Sequence, residues 1–158
     1  MELRITKGEA RRFLMHYHGL DSSGSFCGEK GILEYIKRVG CIQYDPLNVV
    51  GRNADLVLQS RITDYRPGLL EKLLYTERSL IDGWDKMMAI YLREDWPFMK
   101  PVRQAHEKAI FNTYQSRNTP EALELTEEIR RMLVQQGPLL STKIKLGKKD
   151  PGRWGHSN

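Results

Sequence analysis

Residues 79 to 92 read SLIDGWDKMMAIYL, two short apolar pieces around Gly83-Trp84-Asp85-Lys86. That pattern predicts a β-hairpin, or wing, in a chain whose other segments are spaced as helices. A hairpin alone is marginal in water, so the segments around it decide the fold. Thr6-Lys7-Gly8-Glu9 has the form of a capping box, and Ala10, Phe13, Leu14 and Tyr17 follow at helical spacing up to Gly19. Asp21 to Gly28, DSSGSFCG, reads as a small-residue loop. Ile32, Leu33, Ile36 and Val39 mark a second helix stopped by Gly40.

Next comes CIQYD, whose alternation sets Cys41, Gln43 and Asp45 on one side and Ile42 and Tyr44 on the other. Pro46 disfavours a helical Asp45 and ends the segment. Asn53 is expected to cap a third helix carrying Leu56, Val57 and Leu58. Pro67 opens a fourth, with Leu69, Leu70, Leu73 and Leu74 as its buried stripe. After the hairpin, in which Met87 and Met88 are expected in the core, helix resumes from Trp96 through Tyr114 with a bend near Pro101. SRNTP breaks it, Thr119-Pro120-Glu121 starts a helix to Gln136, and Gly137-Pro138 stops that one. Leu139 to Thr142 then enters another short helix.

Helix, short helix, helix, hairpin is the order of a winged helix. The expected fold is mainly α with small β wings: a tandem winged helix-turn-helix whose second unit is truncated. Residues 1–117 would form the first winged-helix domain with its trailing helix, and 118–158 the incomplete start of the second.

At 158 residues with 40% hydrophobic and 28% charged content, the chain has the length and composition of one globular domain. Its longest apolar runs are too short to cross a bilayer, and MELRITKGEARRF lacks the apolar stretch of a signal peptide. Cys27 and Cys41 form neither a CxxC pair nor a His/Cys ligand set, so neither a metal nor a cofactor is expected, and a reducing cytoplasm fits. His16, His18, His106 and His156 show no ligand spacing either. The net charge of +5 hints at a polyanionic partner. It gathers at the C-terminal end, where Lys143, Lys145, Lys148, Lys149 and Arg153 face the single acid Asp150. A solvated basic tail would look the same. Arg52 and Arg61, which flank the third helix, could hold phosphates or be ion-paired, and Trp154 could stack on DNA or sit in a core.

Two readings of Gln43-Tyr44-Asp45 stay open on the residues alone. An aspartate before proline commonly makes an Asx-type turn, and the glutamine could cap a neighbouring backbone group. Alternatively, period-two spacing aims an anionic carboxylate and an amide at one volume, where they could hold a water, while Tyr44 packs inward.

The run CIQYDPLNVVGRNADLVLQSRITDY resembles the YcaQ/AlkZ family of winged-helix DNA glycosylases, which carry a Gln-x-Asp or Gln-x-Gln motif after the second helix. Here that motif is Gln43-Tyr44-Asp45, and LIDGW at 80 to 84 and GPLLS at 137 to 141 fall where the family has similar elements. The resemblance implies hydrolysis of the N-glycosidic bond of alkylated purines in double-stranded DNA, with unhooking of interstrand crosslinks in the Gln-x-Asp branch. It implies Asp45 as water activator and Gln43 as its positioning partner, in a monofunctional glycosylase acting as a monomer. Longer members complete the DNA channel with further winged-helix units, so the chain by itself is expected to be feeble or inactive. One departure stands out: a Trp-Ala-His-Glu-like stretch of the family is Trp84-Asp85-Lys86-Met87-Met88 here, so no histidine role carries over. The alternatives are a non-catalytic winged-helix regulator, which would read one duplex sequence without base loss, and a protein–protein module with no salt-dependent DNA affinity.

Overall fold

The computed structural model describes residues 4–21, 26–45, 47–117 and 121–144. Its contacts divide the chain into Met1–Ala105 and His106–Asn158, with the boundary inside a helix. The described fold is mainly helical with two small sheets.

In the first unit, α1 (Lys7–Tyr17) begins on the capping box: the Thr6 hydroxyl accepts from the Glu9 amide at 3.2 Å, and the Glu9 carboxylate accepts from the Thr6 amide at 2.8 Å. The Thr6 amide first, and the Thr6 hydroxyl second, donate to the Glu9 carboxylate and hold its carboxyl below the ordinary value. None of its residues is buried, and Phe13 and Tyr17 stack on one another at 5.7 Å.

The expected loop at 21–28 contains a structural element instead. Phe26–Cys27 is a short strand, β1, paired in parallel with β3 (Ile62–Thr63) through Phe26↔Ile62. Phe26 is 1% exposed and central to the core. Small residues on both sides hide this in the sequence, because the pairing partner lies far along the chain.

α2 (Gly28–Val39) buries Ile32, Tyr35 and Ile36 and ends at Gly40, whose φ of 84° favours a residue without Cβ. β2 (Ile42–Gln43) follows, then α3 (Asn53–Gln59). Arg52 is the cap residue of α3, so Asn53 is the first helical residue and makes no side-chain cap. α4 (Pro67–Glu71) starts on Pro67 as expected and then widens into a π-helical turn, Lys72–Thr76, closed by the Glu77 amide on the Lys72 carbonyl at 2.9 Å. That turn keeps Leu73 and Leu74 buried and leaves Tyr75 exposed.

β4 (Leu80–Trp84) and β5 (Met88–Leu92) form the hairpin. Gly83 and Trp84 lie within β4 rather than in the turn, which is Asp85 to Met87, and Met87 is exposed rather than core. β2 completes an antiparallel sheet in the order β2-β5-β4, with Ile42↔Ile90 and Gln43↔Ala89 in register. Ile36, Leu58, Leu73, Leu80 and Ile90 pack the core between this sheet and the helices.

α5 (Lys100–Ser116) carries Pro101 in its first turn, where a missing amide costs nothing, so no bend is needed. From its first turn, the Arg103 guanidinium reaches back to stack 3.7 Å over the Trp96 ring and donates to the Trp96 carbonyl at 2.7 Å. In the second unit, α6 (Glu121–Gln136) ends at Gly137 with φ 78°, and Ser141–Lys143 forms a short 3₁₀ turn. No helix among the described residues is long and apolar enough to cross a membrane.

Candidate active site

Three devices fix Gln43 and Asp45. Gly40 turns the chain out of α2; the Ile42↔Ile90 and Gln43↔Ala89 pairs set the register; and the Tyr44 amide extends the ladder to the Met88 carbonyl at 2.9 Å. A slip by one residue would exchange the two faces, and burial of Ile42 opposes it. Gln43 is exposed, Tyr44 packs against the core, and Asp45 is half-buried.

Asp45 makes the local turn contact that its sequence suggests. Its Oδ1 accepts the Leu47 amide at 2.9 Å. Among the described residues no donor reaches Oδ2. The turn contact therefore engages one carboxylate oxygen and leaves the other without a donor from the described residues. Beside Gln43, the next residues across the sheet are Ala89 and Gly83, a methyl and a hydrogen. The row beyond the glutamine amide is thus low, except where the Tyr91 ring crosses it. A Cβ at Gly83 would overlap the Tyr91 hydroxyl. That hydroxyl is buried and has no partner in good hydrogen-bond geometry among the described residues; burial pushes the phenol's pKa up, against the opposing effect of the nearby Arg103 guanidinium.

The chain leaves the site through a short loop closed by an antiparallel bridge, Asn48↔Arg52. Arg52 donates Nε to Asp55 Oδ2 at 2.6 Å and Nη2 to Glu71 Oε1 at 3.1 Å. The Tyr65 hydroxyl donates to the other oxygen of Asp55. Asp55 is 9% exposed, so a buried carboxylate is satisfied from two sides and ties the loop end to α3, while Glu71 ties it to α4. Burial first, and the bond to Asp55 second, hold the Tyr65 phenol well above the ordinary value. The (i, i+3) spacing of Arg52 and Asp55 across a helix start was the one sequence sign of this network.

Arg52 thus has internal partners. Arg61 does too: its Nη1 donates to the Val57 carbonyl at 2.8 Å and to the Ser60 hydroxyl at 2.6 Å, and its guanidinium lies 5.4 Å from the Tyr35 ring centroid. A phosphate would have to share or displace these contacts. Lys143 is exposed in the 3₁₀ turn of the second unit, while Lys145, Lys148, Lys149, Arg153 and Trp154 lie outside the described residues. The Cys41 thiol, 3.9 Å from Asp85, has its pKa raised by burial and by that carboxylate, which makes it a poor nucleophile. His16 is hydrogen-bonded to Asp21 at 2.7 Å.

Comparison with known proteins gives one family. A model described as DNA glycosylase AlkZ-like matches residues 36–158, from the last turns of α2 through the Gln43-Tyr44-Asp45 motif. No curated protein and no solved structure matches the chain. The family match covers well over half of the sequence and includes the strand that carries the glutamine and the aspartate: the chain belongs to the AlkZ-like DNA glycosylases.

Proposed function

We propose that the chain belongs to the Gln-x-Asp branch and hydrolyses the N-glycosidic bond of N7-alkylated guanine and similar alkylpurines in duplex DNA, with Asp45 activating water and Gln43 orienting it. The observation that carries this reading is the held carboxylate: Asp45 is fixed through Oδ1 while Oδ2 accepts no bond from the described residues.

Alkylation at N7 makes the base cationic and therefore a good leaving group. As the C1′–N9 bond breaks, its electron pair goes to the base, which leaves neutral, and oxocarbenium character grows on the sugar. A carboxylate beside that sugar stabilises the developing charge. A water held by the Gln43 amide and by Asp45 attacks C1′ and gives its proton to Asp45. The product is an abasic site, with no covalent enzyme intermediate and no strand cleavage. Crosslink unhooking is the same bond cleavage at an N7 that bridges two strands.

The element order from α2 onward, helix–strand–helix–strand–helix–strand–strand, with β2 beside β5, supports a winged helix for the first unit. We extend this to a tandem arrangement, with 1–117 as the first winged-helix domain and 118–158 beginning a second. Phosphate contacts then fall to Lys143, Lys145, Lys148, Lys149 and Arg153, while Arg52 and Arg61 hold the scaffold. The test is release of 7-methylguanine from a methylated duplex by excess enzyme. Loss of release in Asp45→Asn supports the reading, and equal release by both proteins defeats it.

A further inference from the structure

The loop directly after Asp45 presents aliphatic side chains to solvent. Leu47 is 70% exposed, Val49 89% and Val50 86%. We propose that this tip is an unstacking wedge, with Val49 and Val50 entering a base step of duplex DNA beside the lesion while Asp45 faces the sugar. The proposal rests on the glycosylase reading of Gln43 and Asp45 and adds the element that would open the stack.

Rigidity is the first argument. The tip is closed at its base by the Asn48↔Arg52 bridge, and Arg52 is clamped to Asp55 at 2.6 Å and Glu71 at 3.1 Å. Gly51 takes a φ of 146° over the Leu56 side chain, which comes within 3.0 Å of where a Cβ would stand. A loop that gave way on contact could not separate stacked bases, which costs a few kcal/mol per step. Chemistry is the second. A tip of valines offers nothing to a phosphate, but aliphatic side chains are what DNA-kinking proteins insert between bases. Size is the third: three side chains on a loop tip fall well short of the ~800 Å² per partner that a stable protein interface buries. Finally, the wedge and the carboxylate are joined, since the Leu47 amide is bonded to Asp45 Oδ1 at 2.9 Å. Insertion and alignment of Asp45 would occur in one movement, as an enzyme that must extrude a base requires.

The test uses a duplex with 2-aminopurine beside a tetrahydrofuran abasic analogue, which cannot be hydrolysed. Binding of the chain should raise 2-aminopurine fluorescence as its neighbour stack opens. The Val49→Ser/Val50→Ser variant should keep the same melting temperature and the same salt dependence of binding, yet lose most of that rise. The proposal is overturned if the chain saturates the duplex without a rise, or binds no duplex at all. It is equally overturned if the serine variant keeps the rise, or if the substitutions instead abolish a concentration-dependent self-association. A rise that the serines remove, in a protein that releases no alkylpurine, would leave the wedge standing and remove the glycosylase reading.

Discussion

At the residue scale, the proposed reaction gives Asp45 and Gln43 different work. Asp45→Asn keeps an acceptor for the Leu47 amide and removes the base, so base release should fall by about 10²- to 10⁴-fold with DNA affinity unchanged. Gln43→Ala, on an exposed position, should lower the release rate by roughly 10- to 100-fold through a misplaced water, without loss of stability. Single-turnover rates and duplex Kd separate the two effects. A second residue pair concerns stability alone. Gly83→Ala would drive a methyl into the Tyr91 hydroxyl, and Tyr91→Phe, which removes that buried oxygen but leaves the ring edge close, should cost little by itself and should rescue part of the loss. Thermal melting of the two single variants and the double checks this coupling. The placement of Gln43 and Asp45 on a short strand and a turn was legible because period-two spacing next to a proline is local. Tyr91 over Gly83 was not, because cross-strand contact depends on register.

Among the elements, the helices were legible from caps, stripes and stops: Thr6 and Glu9, Gly40, Pro67 and Gly137 all mark ends that the structure keeps. What escaped was long-range. Strand β1 exists because Phe26 meets Ile62, and the clamp on the loop after Asp45 exists because Asp55 of α3 and Glu71 of α4 converge on Arg52, with Tyr65 on the other oxygen of Asp55. That clamp should be measurable. Arg52→Ala leaves Asp55 buried without its cation and should cost about 2–3 kcal/mol in urea unfolding. The Tyr65 phenol adds a pH signature. Its pKa is raised in the fold, so the protonated hydroxyl is the stabilising form. That contribution is complete below the unfolded phenol value of about 10 and declines as pH rises above it. Tyr35 and Tyr91, raised chiefly by burial, act in the same direction. Stability should therefore fall above about pH 10, and Tyr65→Phe should make that alkaline limb shallower.

For the whole molecule, the family match and the fold meet at one place, the edge strand β2 that enters from Gly40 and leaves into an anchored loop. The +5 charge supplies attraction to a polyanion without stating what is done to it. The proposed chemistry rests on a few residues of the first unit, between Gly40 and Arg52. The most direct measurement is single-turnover release of 7-methylguanine from a methylated duplex by the chain and by its Asp45→Asn variant, in enzyme excess so that even slow release is seen. The account predicts that base appears with the native residue, leaving abasic sites and intact strands, and that the asparagine variant is at least about 10²-fold slower. Equal rates in the two proteins, including equal absence of release, would contradict it.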